Sequence, residues 1–465
     1  MTMTSVNPAT GETLAEFAEH TSAEVEAKLA RAAEMAPRWR FTPIQERAAV
    51  MARLGDLLEQ DKERLGRLMT LEMGKPIRAG VEEAAKCARA CHFFAENGPS
   101  FVADREIADE DHRSFVAYDP LGVVLAVMPW NFPFWQVVRF LAPGLVAGNV
   151  GLLKHASNVP QCALEIESLV RRAGAPEGVF QTLLVGSAAV PGIIADHRVA
   201  AVTLTGSEGA GRSVAEAAGK ALKKSVLELG GSDPFIVMPS ANVPLAIETA
   251  VKARTLNNGQ SCIAAKRFIV HRDIAKQFLD GFAAGMQALR VGNPIDDTTQ
   301  LGPLASVRLA GELDEQVQKS VKMGARVVCG GKRADPKSAF YPATVLTDIP
   351  TDAPAYRDEL FGPVGCVFVA RDASDAIRIA NDTRFGLAAS VWTTDRAEQD
   401  RFVREVDSGS VFVNDMVVSD PRFPFGGVKS SGYGRELSDV GMREFTNVKT
   451  VRVRQAGGAN QGGTE

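Results

Sequence analysis

The stretch LGVVLAVMPWNFP, Leu121 to Pro133, decides how this chain is read. Residues 121–127 form a continuous apolar run, short enough for a strand buried on both faces, and Pro129 ends it. The segment Pro129-Trp130-Asn131-Phe132-Pro133 follows directly. In open α/β sheets, ligands bind at the carboxyl ends of the strands, which is where this segment falls. Residues 151–154 repeat the strand pattern, and a helix is expected over Pro160–Arg172 with Ser157 as its possible cap. Residues 180–184 and 199–204 are further short apolar runs, with helical segments between them. Strands alternating with helices predict a parallel α/β sheet.

The alternation resumes after Glu228. Residues 234–238, 266–271, 325–329, 364–369 and 410–413 read as strands, and residues 245–256 and 274–289 as helices. Two α/β units therefore follow each other, joined near residues 228–232. Upstream, residues 22–97 are rich in Ala, Leu and Glu at helical spacing: Val25, Leu29, Ala32 and Ala33 make one stripe, and Leu54, Leu57, Leu58, Leu65 and Leu68 another. Around residues 115–118 the pattern turns to alternation. Residues 444–454 alternate like an exposed or swapped strand, and the Gly-rich tail from Gln455 is expected to be disordered. No internal repeat is visible.

Composition sets the outer bounds. A chain of 465 residues suggests two to four domains at ~100–200 residues each. Hydrophobic residues make up 45% and charged residues 23%, an ordinary globular balance that excludes a mostly disordered chain. With 52 Lys and Arg against 56 Asp and Glu, the net charge is −4. That argues against a dedicated nucleic-acid binder, which needs concentrated basic residues. The six cysteines form no CxxC pair and sit near no histidine at zinc spacing, so no metal site is expected. Scattered thiols in a large chain fit a reducing compartment. No basic start followed by an apolar run opens the chain, and no apolar stretch approaches ~20 residues. The expectation is a soluble, cytoplasmic protein without a membrane partner.

Four segments carry candidate chemistry. Thr205-Gly206-Ser207 lies between a strand and a helix, where backbone can approach a phosphate at a helix N-terminus; a plain structural turn is the alternative. Gly259-Gln260-Ser261-Cys262, with Asn257 and Asn258 upstream, offers an exposed, activated thiol, or a small buried apolar residue. Glu228, flanked by Leu227 and Leu229, suits a partly buried strand-end carboxylate with a raised pKa that acts as a base, or one bonded to backbone amides. Asn131 can donate its side-chain amide to a developing oxyanion, or serve as a turn residue between prolines.

Together these segments resemble the aldehyde dehydrogenase superfamily over essentially the whole chain. The resemblance rests on Asn7-Pro8-Ala9-Thr10-Gly11-Glu12, Pro129-Trp130-Asn131-Phe132-Pro133, Thr205-Gly206-Ser207, Glu228-Leu229-Gly230-Gly231, Gly259-Gln260-Ser261-Cys262, Glu359-Leu360-Phe361-Gly362-Pro363 and Pro424-Phe425-Gly426-Gly427. It implies a covalent oxidation. Cys262 attacks the aldehyde carbon as a thiolate, and the Asn131 side chain and Cys262 backbone amide hold the oxyanion. Hydride leaves for a nicotinamide, and Glu228 activates water to hydrolyse the thioester. The family pattern assigns Lys154 to the adenosine ribose, Gly206 and Ser207 to the pyrophosphate, and Glu359 to the nicotinamide ribose. Trp130, Leu229 and Phe361 belong to the same cleft. The family often has Glu three residues after that lysine. Here Ser157 stands there, so NADP is expected to be accepted and preferred, with NAD also plausible.

The runs Leu153-Lys154-His155-Ala156-Ser157-Asn158-Val159-Pro160-Gln161 and Asn414-Asp415-Met416-Val417-Val418-Ser419-Asp420 resemble short bacterial succinate-semialdehyde dehydrogenases. Arg139, in an otherwise apolar helix over residues 134–145, matches an arginine that binds the substrate carboxylate; a salt bridge to a protein carboxylate is the alternative. Ser419 is a second candidate anchor. Two departures stand out. Leu256 occupies the position six residues before Cys262 where some members have another arginine, and Arg254 is the nearest. Ala264 replaces a cysteine that in some members forms a regulatory disulfide.

The implied fold is α/β. It has a Rossmann-like cofactor domain over 1–101 and 121–231, a catalytic α/β domain over 232–426, and an oligomerisation arm from 102–120 with 443–456. The tail spans 457–465. The arm implies a homodimer or homotetramer. A broad NAD-dependent aldehyde dehydrogenase is the nearest rival, since Phe134, Trp135 and Phe423 would suit apolar aldehydes. A non-catalytic binding protein on the same fold is the remote one.

Overall fold

The computed structural model describes residues 2–109 and 112–454; the tail expected over 457–465 lies outside the described residues. The stretch 121–133 forms the strand Val123–Met128, at the middle of a six-stranded sheet. Its parallel neighbours are Val150–His155 and Val199–Thr205. Phe180–Thr182 extends the sheet on one side, and Lys224–Glu228 then Gly432–Tyr433 on the other. Successive connections thus run to opposite sides of Val123–Met128. This reversal opens a crevice at the carboxyl ends of the strands. Trp130, Ser157, Gly206 and Leu229 all follow strand ends on that edge.

The helical region 22–97 divides into four helices: Ser22–Phe41, Ile44–Gln60, Lys62–Met73 and Ile77–Phe101. Thr21 and Glu24 close a capping box on the first. The chain turns at Pro43, Asp61 and Gly74-Lys75-Pro76, where local chemistry breaks the helical ladder. Helix Trp135–Ala147 is buried throughout. Trp39 Nε1 donates to Leu145 O at 2.9 Å and Arg47 Nε to Val146 O at 3.0 Å, satisfying carbonyls at its last turn. Its first residue follows Phe134, which cannot cap. Glu83, from helix Ile77–Phe101, supplies the cap instead: Oε1 accepts from Phe134 N and Trp135 N, each at 2.9 Å. That contact fixes how these two helices cross beside the crevice.

The second sheet has seven strands in the order Arg326–Cys329, Thr344–Thr347, Val364–Ala370, Arg267–His271, Pro234–Val237, Ala388–Trp392 and Ser410–Val413. All pairs are parallel except the first. Thr344–Thr347 and Ala388–Trp392 are strands that pattern reading did not find. They are four and five residues long, and their Thr, Ala and Ser residues dilute the apolar signal. The hairpin of Thr2–Val6 with Thr13–Ala18 gives no clear pattern for a similar reason, its short strands mixing Thr, Ser and Glu among apolar residues with only two positions buried.

The alternating segment near the C-terminus forms Thr446–Arg454 and pairs antiparallel with His112–Pro120, from Thr446 against Pro120 to Arg454 against His112. With Arg105–Ile107 it makes a three-stranded sheet in which Thr446–Arg454 is an edge, most of its residues exposed. No helix among the described residues is long and apolar enough to cross a membrane.

Candidate active site

Cys262 lies just beyond a loop that its own sequence forces into shape. Asn257 and Asn258 both adopt left-handed backbone (φ 55° and 59°), as does Gly259 (φ 75°). A Cβ on Gly259 would overlap the Gly362 backbone, so only glycine fits. Buried groups then tie the loop down. Asn258 Nδ2 donates to Gly74 O and Pro303 O at 2.9 Å, and Arg254 Nη2 donates to Gly259 O at 2.6 Å. Lys266 Nζ donates to Ser261 O, Cys262 O and Ala264 O at 2.8–3.1 Å. Arg254 is therefore a fastener of this loop.

Five of the six cysteines are buried; Cys262 is partly exposed and lines a cavity of about 500 Å³. The reading of Cys262 as a buried apolar filler therefore fails. Desolvation pushes its thiol up to about 12. Arg139 and Lys266 pull the value down, and Glu359 and Asp233 oppose them.

Asn131 packs behind this loop. Its Nδ2 donates to Gln260 O at 3.0 Å, and its backbone O accepts from Asn257 Nδ2 at 2.6 Å. A side-chain amide has two N–H groups, so one remains beyond the Gln260 contact. The Glu228-Leu229-Gly230-Gly231 turn meets the same loop: a Cβ at Gly231 would lie 2.7 Å from Cys262 O.

Glu228 ends its strand and is buried, 2% exposed, and neither carboxyl oxygen has a hydrogen-bond partner among the described residues. The alternative of a carboxylate held by backbone amides does not apply. Burial holds its pKa well above the usual carboxyl range, and the nearby Glu436 raises it further; Arg139 and Arg435 act against both. Cys262, Arg139 and Ser419 line the cavity.

Arg139 is where the structure adds most to the sequence reading. Its charge has a protein partner, Glu436, with Nε 2.8 Å from Oε2. Nη2 donates to Thr205 Oγ1 at 3.2 Å, and the guanidinium lies over the Phe425 ring. Nη1 is outside these contacts. Ser419 accepts from Trp135 Nε1 at 2.9 Å and from Lys86 Nζ at 2.8 Å. Lys86 itself lines the cavity and carries no signal in the sequence, because one Lys on an amphipathic helix reads as a solvated face. Among the expected aromatics only Trp135 lines the cavity. Phe134 is buried elsewhere and Phe423 is exposed, while Phe132 and Phe425 take their places. The cause lies in local direction: Phe134 closes the helix start, and residues 421–425 turn so that Phe425 points inward.

The cleft expected to take the cofactor is assembled from the strand ends. Ser207 caps helix Glu208–Lys220, accepting from Ala210 N at 3.3 Å, and Gly206 N donates to Glu228 O at 3.0 Å. Leu229 packs against Gly211 on that helix. Glu359 Oε1 accepts from Gly231 N at 3.1 Å and lies 3.3 Å from Lys266 Nζ, which joins it to the turn after Glu228. Trp130 meets Phe361 edge to face at 5.8 Å between centroids. Lys154 is buried with no ion pair or side-chain hydrogen bond among the described residues, and burial lowers its pKa. A buried, unpartnered cation at a strand end fits a bound anionic group. Ser157 is exposed close by and does not cap the next helix. The cap position falls at Val159, because Pro160 as first residue has no N–H to satisfy.

A sequence model of the aldehyde dehydrogenase family matches residues 1–451. A Mycobacterium tuberculosis protein named succinate-semialdehyde dehydrogenase (NADP(+)) 1 is 54% identical over 457 residues, covering 97% of this chain and 100% of its own. A Synechocystis protein named probable succinate-semialdehyde dehydrogenase (NADP(+)) is 51% identical over 453 residues, with coverage of 97% and 100%. Among solved structures, succinic semialdehyde dehydrogenase from Streptococcus pyogenes in complex with NADP+ superposes with a TM-score of 0.95 at 34% identity, covering 97% of this chain and 100% of its own.

Proposed function

Because this chain belongs to the aldehyde dehydrogenase family, we propose that it oxidises succinate semialdehyde to succinate through a thioester on Cys262, with NADP as preferred hydride acceptor and NAD as a second. The observation that carries this reading is that Cys262, the one cysteine not buried, opens onto a cavity that Arg139 and Ser419 also line. The names of the full-length relatives support the substrate and the cofactor.

Each residue's role follows from its surroundings. Cys262 is the nucleophile; as its sulfur bonds to the aldehyde carbon, the thiol proton, held tightly by burial, passes to solvent. The free N–H of Asn131 and the Cys262 amide stabilise the oxyanion. The nicotinamide, when bound, supplies the two-electron acceptor. Lys154 and Ser157 would hold the adenosine end with its 2′-phosphate, Gly206 and Ser207 the pyrophosphate, and Glu359 the nicotinamide ribose; Trp130, Leu229 and Phe361 would wall the cleft. Glu228 takes the proton of the hydrolytic water. A carboxylate in a dry site is a stronger base than one in water, which suits that step. Arg139 and Ser419 face the substrate carboxylate, Arg139 through Nη1.

Phe132, Trp135 and Phe425 favour a second reading, a broad NAD-dependent enzyme for apolar aldehydes. Steady-state kinetics with succinate semialdehyde, propanal and benzaldehyde, each with NAD and NADP, separates the two. Our reading expects the highest kcat/KM for succinate semialdehyde with NADP; equal values for all three aldehydes would overturn it. We further propose that the protein works in the cytoplasm as a homodimer or homotetramer. The exposed edge Thr446–Arg454 offers unpaired backbone groups to a second copy.

A further inference from the structure

We infer that Lys86 is the residue that selects substrates carrying an anionic group remote from the aldehyde carbon, with the Ser419 hydroxyl as its co-donor. This rests on the semialdehyde reading above and names what recognises the far end of the substrate.

The charges around the cavity balance, except for one. Glu82 pairs with Arg89 at 2.5 Å, Glu83 with Lys75, and Asp420 with Arg422 at 2.6 Å. Arg139 pairs with Glu436. Among the described residues, Lys86 alone of the charged lining residues has no carboxylate within 4.0 Å. Its neighbours are the Ser419 hydroxyl at 2.8 Å and the Trp135 ring, 4.2 Å from Nζ to the centroid. The ring face attracts the ammonium without neutralising it.

The Ser419 hydroxyl is oriented by the same arrangement. A hydroxyl accepts two hydrogen bonds and donates one. Lys86 Nζ and Trp135 Nε1 both donate to Ser419 Oγ, so both acceptor positions are filled. Its own hydrogen is left to donate, and no acceptor among the described residues takes it. One part of the wall therefore presents an ammonium and a hydroxyl hydrogen together; Glu83 and Asp420 act on the ammonium from a distance, but among the described residues neither carboxylate pairs with it. Burial makes that arrangement costly when empty and lowers the Lys86 ammonium to about 8. A carboxylate satisfies both donors through charge-assisted bonds. A neutral aldehyde offers no oxygen for them beyond the one at the reacting carbon. Arg139 is not equivalent, because Glu436 already compensates its charge.

The test is the ratio of kcat/KM for succinate semialdehyde over butanal in wild type, Lys86→Met and Lys86→Arg. We expect wild type to favour succinate semialdehyde. Lys86→Met should lower the ratio roughly ten- to a hundredfold, mainly through KM, and Lys86→Arg should restore most of it. A ratio unchanged in Lys86→Met, with wild type still selective, overturns the role of Lys86 and leaves the semialdehyde reading intact. An unselective wild type overturns both. Should Lys86→Met not fold, Lys86→Gln gives the same readout: a fall in the ratio supports the role of Lys86, and no change rejects it.

Discussion

Arg139 Nε lies 2.8 Å from Glu436 Oε2, and the two side chains are only 2% and 3% exposed. Arg139 of this buried pair is close enough to both groups proposed to do the chemistry to act on each. The Arg139 charge lowers the pKa of both Cys262 and Glu228, while Glu436 raises that of Glu228. Beyond burial, Arg139 therefore acts on both the nucleophile and the base, and Glu436 on the base. Removing either partner leaves the other charge buried alone, which typically costs ~3–5 kcal/mol.

Arg139→Gln is expected to act on every aldehyde. Glu436 loses its counter-charge, and Glu228 and Cys262 both become harder to ionise. We expect kcat/KM for butanal and succinate semialdehyde to fall together, with a further loss of roughly tenfold for succinate semialdehyde where Nη1 meets its carboxylate. Thermal unfolding should show a lowered Tm in the same variant. Unchanged butanal oxidation would contradict the shared role of the pair.

Glu436→Gln should shift a pH profile. Burial and the charge of Glu436 both push the Glu228 pKa upward. Glu228 works as a base only when ionised, so activity rises with pH through that raised value. Removing the Glu436 charge, and freeing Arg139 to face Glu228, lowers the Glu228 pKa. The acid limb of kcat should therefore move to lower pH. A limb that stays in place would mean that Glu436 does not govern Glu228.

Glu228→Gln divides the half-reactions. The first hydride transfer does not need a base for water, but thioester hydrolysis does. Rapid mixing should show a burst of reduced cofactor followed by turnover slowed by ~10²–10⁴-fold. Loss of the burst as well would assign Glu228 an earlier task, at the Cys262 thiol.

Ser157→Glu addresses cofactor choice. A carboxylate beside Lys154 would repel a 2′-phosphate. One close like-charge pair costs at most roughly 4 kcal/mol at an effective dielectric of ~20, and less at an exposed residue in salt. We expect KM for NADP to rise about tenfold or more, and KM for NAD to change far less. Equal shifts for both would remove Ser157 from the phosphate site.

Alternation of apolar runs with helical stripes made the parallel sheets legible before any coordinates, because a strand buried on both faces must be apolar throughout. Cys262, Glu228 and Asn131 stand out as candidates for a related reason: each lies in a short, contiguous segment whose glycines and amides shape the local backbone. What the sequence by itself determined is therefore the class of chemistry and the strand ends that bear it. Only the tertiary structure decided who partners whom. Glu436 reaches Arg139, and Lys86 reaches Ser419, across hundreds of residues of chain, so no local pattern records either contact. Phe425, not Phe423, enters the cavity, and Val159, not Ser157, precedes the helix, because turns of one or two residues redirect a side chain without altering composition. Pairings of charge depend on which surfaces packing brings together, and that is settled by burial of the whole chain at once.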